Sequence, residues 1–167
     1  MKPEKITIRK ASLKDLPVIL GMWKEFMTEH DSVVLKENPR LGAHIARKKG
    51  AGIVERKFVQ KKIRSRNAMV FIAEVYRKPA GYCLIYIEKR APVFKIEKTG
   101  HIGELFVKKG FRGMKISSKF RDEAIKWFKK GGIEYISITV YKENRDAHSI
   151  YKKWGFHDYI ITMQKTA

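Results

Sequence analysis

Residues 103–119 read Gly-Glu-Leu-Phe-Val-Lys-Lys-Gly-Phe-Arg-Gly-Met-Lys-Ile-Ser-Ser-Lys, an apolar strand that passes through a glycine turn into a helix. Unpaired N–H groups at such a helix N-terminus point outward, and the helix dipole favours negative charge there. Arg112 and Lys115 add full positive charges, so the junction suits a diphosphate, and it equally suits an ordinary strand-to-helix turn with solvated cations. A second stretch, Asn-Arg-Asp-Ala-His-Ser-Ile-Tyr-Lys-Lys-Trp-Gly-Phe at 144–156, sets Ala147, Ile150, Tyr151 and Trp154 on one helix face. The Tyr151 phenol, with an unperturbed pKa near ~10, stays protonated at neutral pH and can donate a proton to a departing thiolate. The same residue also reads as a core tyrosine with one satisfied hydroxyl.

Other reactive side chains carry less. Cys83, the single cysteine, falls in mid-strand with no base near it in sequence, which makes it a poor nucleophile. It also excludes an internal disulfide framework and a cysteine-based zinc site, in keeping with a reducing compartment. His148 and His157 have no further donor at metal-ligand spacing, so no metal is expected.

The chain that must position these groups has 167 residues, 44% of them hydrophobic, enough for one domain spanning 1–167 with a sizeable core. Lys and Arg number 37 against 17 acidic residues, a formal +20, so the surface attracts anions. Cationic clusters at Arg47, Lys48, Lys49 and at Lys61, Lys62, Arg64 admit a basic nucleic-acid-associated protein as a rival reading. No recognised binding module accompanies them, so such contact is expected to be nonspecific. Residues 1–10 lack the apolar core of a signal peptide, and no stretch approaches the ~18 apolar residues of a membrane span. A cytoplasmic protein without membrane contact is the expectation.

Hydrophobic periodicity supplies the elements. Residues 6–9 alternate as a strand, and Leu13, Leu16, Leu20, Trp23 and Met27 recur at helical spacing after a cap at Ser12 or Asp15, with Pro17 in the first turn. Residues 40–66 read as one or two basic helices interrupted around Gly50, Ala51 and Gly52. Strands at 69–76 and 82–88 form a hairpin with its turn at 78–81, and a Lys-rich connection over 89–99 leads to a strand at 101–107. An amphipathic helix follows, with Ile116, Phe120, Ala124, Trp127 and Phe128 on one face and Gly131 and Gly132 at its end. A strand at 133–140, a helix at 144–154 and a final strand at 156–163 complete the order. This succession calls for an α/β (α+β) fold, a mixed sheet with helices on both faces.

Together the two chemical stretches resemble motifs A and B of the GNAT superfamily of N-acetyltransferases, separated by the helix and strand that family has. The resemblance spans nearly the whole chain and is strongest at Asn144, Ala147, Tyr151, Gly155 and Phe156, with Leu105, Phe106, Val107, Phe111, Arg112 and Gly113 adding to it. It implies a twisted, mostly antiparallel sheet splayed at two central parallel strands. It further implies acetyl-coenzyme A as cosubstrate, held by Leu105, Phe106, Val107, Arg112, Gly113, Met114, Lys115, Ile116, Ser117, Ser118, Asn144, Ala147 and Tyr151. Lys115 stands where the family pattern has its central glycine, and binding is expected to be retained.

By the same resemblance, a primary amine of a small molecule or protein attacks the thioester directly in a ternary complex. A strand N–H near Leu105 or Phe106 stabilises the oxyanion, and Tyr151 protonates the thiolate as general acid. Glu104 is the preferred base, directly or through water, with His101 the alternative. Regular alternation puts these two on opposite sheet faces, and a bulge, frequent in this family here, would break that parity. A non-catalytic coenzyme A-binding relative remains a further reading, and a homodimer is possible.

Overall fold

The computed structural model describes residues 6–165. Residues 1–5, part of the N-terminal stretch read above, and 166–167 lie outside the described residues. Strands β1 (Ile6–Lys10), β2 (Ala68–Val75), β3 (Lys78–Lys89), β4 (Lys98–Val107) and β5 (Ile136–Ile138) form one sheet in sequence order. The first four run antiparallel to their neighbours, and β5 lies parallel to β4. Helices α1 (Leu16–Glu37), α2 (Gly42–Ile45) and α3 (Ala51–Arg64) follow β1, α4 (Ile116–Lys130) follows β4, and α5 (Arg145–Lys153) follows β5.

Side chains alternate across the sheet and define two cores. Phe71, Cys83, Ile85 and Ile102 pack with the α4 stripe Ile116, Phe120, Ala124 and Phe128. Val70, Ile72, Tyr82, Leu84 and Phe106 pack on the opposite face with Ile19, Met22 and Trp23 of α1 and Val59 of α3. The α4 face matches the expected periodicity, and the helix stops at Gly131 and Gly132, where Gly132 turns to φ 71° and the Ile133 N–H donates back to the Phe128 carbonyl at 3.0 Å. Helix α1 starts at Leu16 with Pro17 in its first turn. The Asp15 carboxylate reaches backward, accepting from the Ser12 N–H at 2.7 Å and from Arg9 at 2.8 Å, rather than capping α1.

Three expectations need correction. The β2–β3 turn is made by Tyr76 and Arg77, both left-handed at φ 48° and 66°, the geometry whose twist suits a two-residue hairpin loop. Residues 78–81, expected as the turn, begin β3. Gly81 is there because strands approach closely: a Cβ on it would lie 2.4 Å from the Phe106 carbonyl oxygen.

The strand expected over 133–140 pairs with β4 only at Ile136–Ile138. The final strand expected over 156–163 does not form: Tyr159, Ile160, Ile161 and Met163 are 71–89% exposed. Strand propensity there finds no neighbouring surface to pack on, and packing is what makes such residues favour strands. In consequence β5 is the sheet edge, and the splayed parallel pair is not central.

Candidate active site

β4 carries the site, and its register shows why. Its pairing with β3 runs Leu84↔Glu104 and then Ile85↔Ile102, so Gly103 is an extra residue, a bulge. Gly103 tolerates this because the Tyr86 ring lies over it: a Cβ would come within 2.7 Å of that ring. The bulge resets alternation, so that His101 and Glu104 share the face toward α1 and α3, against the regular-strand expectation. His101 stacks at 5.2 Å from the Tyr86 ring, and its Nδ1 lies 2.8 Å from the Ser137 hydroxyl. Burial pushes the His101 pKa down, which keeps the ring neutral at pH 7.

Glu104 is half-buried and accepts a hydrogen bond from the Tyr82 hydroxyl at 2.7 Å. Sequence reasoning missed Tyr82, and it missed Glu55 of α3, whose carboxyl meets that of Glu104. Burial raises the Glu104 pKa, while the Tyr82 and Glu55 contacts oppose that rise. Burial first, and then the charge of Glu104, push Glu55 up to about 8. A signal for Glu55 was present in the chain: it is the sole acidic residue among the cations of 40–66, and it sits one turn before Val59, which is fully buried.

Beyond Ile102, β4 and β5 part. The three paired positions are Gly100↔Ile136, His101↔Ser137 and Ile102↔Ile138, so the β4 edge along 103–107 has no strand beside it. Leu105 and Val107 turn toward the α4 core and Phe106 toward α1, where it stacks on Phe26 at 5.6 Å.

The chain then enters the turn before α4. Gly113 adopts φ 81°, and Lys115 adopts φ 59°, ψ 21°, the left-handed conformation that glycine favours. Lys115 thus holds a backbone conformation that glycine adopts without steric cost, and its side chain is exposed. Among the described residues no backbone or side-chain acceptor takes the N–H groups of residues 113–118; the first bond of α4 runs from the Lys119 N–H to the Lys115 carbonyl at 3.1 Å. Six consecutive main-chain donors, those of Gly113, Met114, Lys115, Ile116, Ser117 and Ser118, are therefore left unpaired at a positive helix end. Arg112 braces the turn, its Nε donating to the Val107 carbonyl at 3.0 Å and its guanidinium pairing with Glu29 of α1.

Asn144 caps α5, its side-chain oxygen accepting from the Ala147 N–H at 3.3 Å. Gly155 closes the helix at φ 90°. Tyr151 packs against Trp154 and Phe156 at ring separations of 5.5 and 6.4 Å. Burial, and secondarily Cys83, push its phenol up to about 12. Cys83 belongs to the α4-side core and pairs with Leu105 of β4, so Tyr151 approaches β4 from the face opposite Glu104. Burial likewise raises the Cys83 thiol far above neutrality, which leaves it no nucleophilic thiolate. Among the described residues no cluster of three or more His, Cys, Asp or Glu is placed to hold a metal ion, and no helix is long and apolar enough to cross a membrane.

A strand with a bulge before its free edge, a turn of unpaired amides and a helix bearing a buried tyrosine form one arrangement, and the chain matches the acetyltransferase (GNAT) family over residues 28–156. The chain belongs to the GNAT family. It is 33% identical over 94 residues to an uncharacterised N-acetyltransferase of Methanocaldococcus jannaschii. That match takes in 53% of this chain and 38% of the relative, so the chain spans less than half of that relative's length.

The GNAT fold extends further. A tetramutant protein of Bacillus halodurans superposes with a TM-score of 0.81 at 19% identity, over 96% of this chain and 99% of that one. A predicted acetyltransferase of Clostridium acetobutylicum, solved with acetyl-CoA, gives 0.77 at 19% identity over 97% and 96%.

Proposed function

We propose that this GNAT chain is an acetyl-CoA-dependent N-acetyltransferase that acetylates a primary amine of a small molecule or protein. The observation that carries this reading is the run of unpaired amides from Gly113 to Ser118, wrapped around a left-handed Lys115 next to the free edge of β4. Such a run matches the demand of a diphosphate for several converging N–H donors. The Clostridium acetobutylicum protein of the same fold, solved with acetyl-CoA, supports that choice of ligand.

In this mechanism the thioester lies along the β4 edge at 103–107, with its diphosphate on the amides of 113–118. Leu105, Phe106 and Val107 supply main-chain contacts, and Arg112, Asn144 and Ala147 keep the surrounding turns in shape. Glu104 takes the proton of the incoming ammonium on the α3 side. The amine nitrogen bonds the acetyl carbon, the oxyanion meets a β4 N–H, and the C–S bond breaks as the nitrogen sheds its second proton, which through solvent replaces the one Tyr151 gives up. Tyr151, still protonated because its pKa is about 12, gives its proton to the sulfur from the α4 side.

Isothermal titration with acetyl-CoA, followed by thiol release across primary amines, tests the reading. Saturable binding with amine-dependent release supports it. Binding without release makes the chain a coenzyme A-binding relative that does not turn over, and absence of binding overturns the proposal.

A further inference from the structure

The Glu55 Oε1 atom is buried, and no donor among the described residues reaches it. A carboxylate oxygen in that position would forfeit its hydration without replacement, a cost proteins avoid by protonating the group. Its neighbour is another carboxyl, Glu104, whose Oε2 already accepts from Tyr82. The way for both groups to be satisfied is a proton held between them. We infer that Glu55 and Glu104 act as one proton-sharing pair, in which Glu104 receives the acceptor's proton and Glu55 passes one on to solvent.

This inference rests on Glu104 being the base. With one proton on the pair, Glu55–OH donates to the Glu104 carboxylate. The carboxylate takes H⁺ from R–NH3⁺, leaving R–NH2 and two neutral carboxyls. Glu55 then releases H⁺ at the half-exposed surface of α3, and the Glu104 proton becomes the shared one. One proton enters and one leaves, so the pair is restored.

The charged and titratable groups facing the pair are few. Tyr82 and Tyr86 come from β3 and His101 from β4, Lys62 of α3 lies 3.3 Å from the Tyr86 ring centroid, and Glu88 of β3 acts on Lys62, Tyr86 and His101. The neighbours from α1 and β2 are apolar: Trp23, Phe26, Val70 and Ile72. The shared proton leaves as pH rises through about 8. With Glu88 offsetting Lys62, the singly protonated pair leaves this site net negative within a +20 protein, which favours an amine arriving as its cation.

The test has two arms. Infrared difference spectra of the unliganded protein with isotope-labelled glutamate should show a protonated carboxyl at neutral pH that disappears through about 8, and the band should be missing in Glu55→Gln. In turnover, the probe is acetyl-CoA with whichever of spermidine, tyramine or a tripeptide α-amine releases thiol fastest. Glu55→Gln should lower kcat by ~10-fold or more, with the KM for acetyl-CoA within about twofold of wild type, and should erase the inflection near 8 in the pH profile. Glu55→Asp should restore part of the rate.

An absent carboxyl band, or a wild-type pH profile in Glu55→Gln, overturns the shared proton. The two readings separate cleanly: wild-type turnover in Glu104→Gln removes the base itself, whereas loss in Glu104→Gln with no change in Glu55→Gln removes only the pair.

Discussion

The Tyr82 hydroxyl donates to Glu104 across the β3–β4 ladder at 2.7 Å, from a position that is itself fully buried. That bond stabilises the charged form of a carboxyl whose burial favours the neutral one. Replacing Tyr82 with Phe removes the donor and lets the Glu104 pKa rise. The acidic limb of kcat/KM should accordingly move to higher pH, with a several-fold loss at neutral pH and recovery on the alkaline side. A pH–rate profile checks this, and a limb that stays put or moves down would show that Tyr82 does not tune the base.

Tyr151→Phe isolates the opposite end of the reaction. It should reduce kcat by ~10²-fold or more while leaving acetyl-CoA affinity nearly unchanged, as measured by thiol release and titration calorimetry. Because its phenol titrates only near 12, the wild-type rate should show no Tyr151-dependent fall up to about pH 10.

Gly100 tests how tightly β4 rests on α4. A Cβ there would lie 2.6 Å from the Phe128 ring, which has no exposure and therefore no room to retreat. Gly100→Ala should destabilise the protein by ~1–3 kcal/mol, lowering Tm by roughly 2–4 °C for each kcal/mol. Gly110→Ala, with open space around it, should leave Tm nearly unchanged, and thermal melts of the two variants provide the comparison.

The Arg9–Asp15 pair sets an acid-stability signature. Hydrogen bonds from Arg9 hold Asp15 down at about 2 in the folded state. A depressed folded pKa contributes stability that is complete above the unfolded value near ~4 and disappears as pH falls through about 2. Both side chains are partly exposed, so the effect is small and screened by salt. Urea melts of Asp15→Asn and wild type should differ near neutrality and converge at the acid end.

Local pattern made much of this architecture legible. The α4 stripe, the Gly131 stop and the Asn144-to-Phe156 motif are features of adjacent residues, and each stands where periodicity and capping chemistry put it. What escaped were pairings across long separations. Gly81 reads as a turn because nothing local reveals that Phe106 will press against it. Residues 156–163 are rich in the aromatic and β-branched side chains of a strand, yet a strand requires a partner edge that no local pattern specifies.

The site divides the same way. Tyr151 and the turn amides are visible in their own segments, whereas Glu55 meets Glu104 only through the fold, 48 residues lying between them in the chain. Tyr82 needed the β3 register, and the shared face of His101 and Glu104 needed the one-residue bulge at Gly103.

The sheet stands between Glu104 and Tyr151 as a partition, which in the proposed reaction keeps proton acceptance on one side and proton delivery on the other. In that reaction neither group exchanges protons with the other directly, and the two meet through the bond being made and broken at the β4 margin. Substitutions along α3 can then retune which amines are admitted while the thiolate-side chemistry beneath α4 and α5 is left intact, and the two sides can diversify independently.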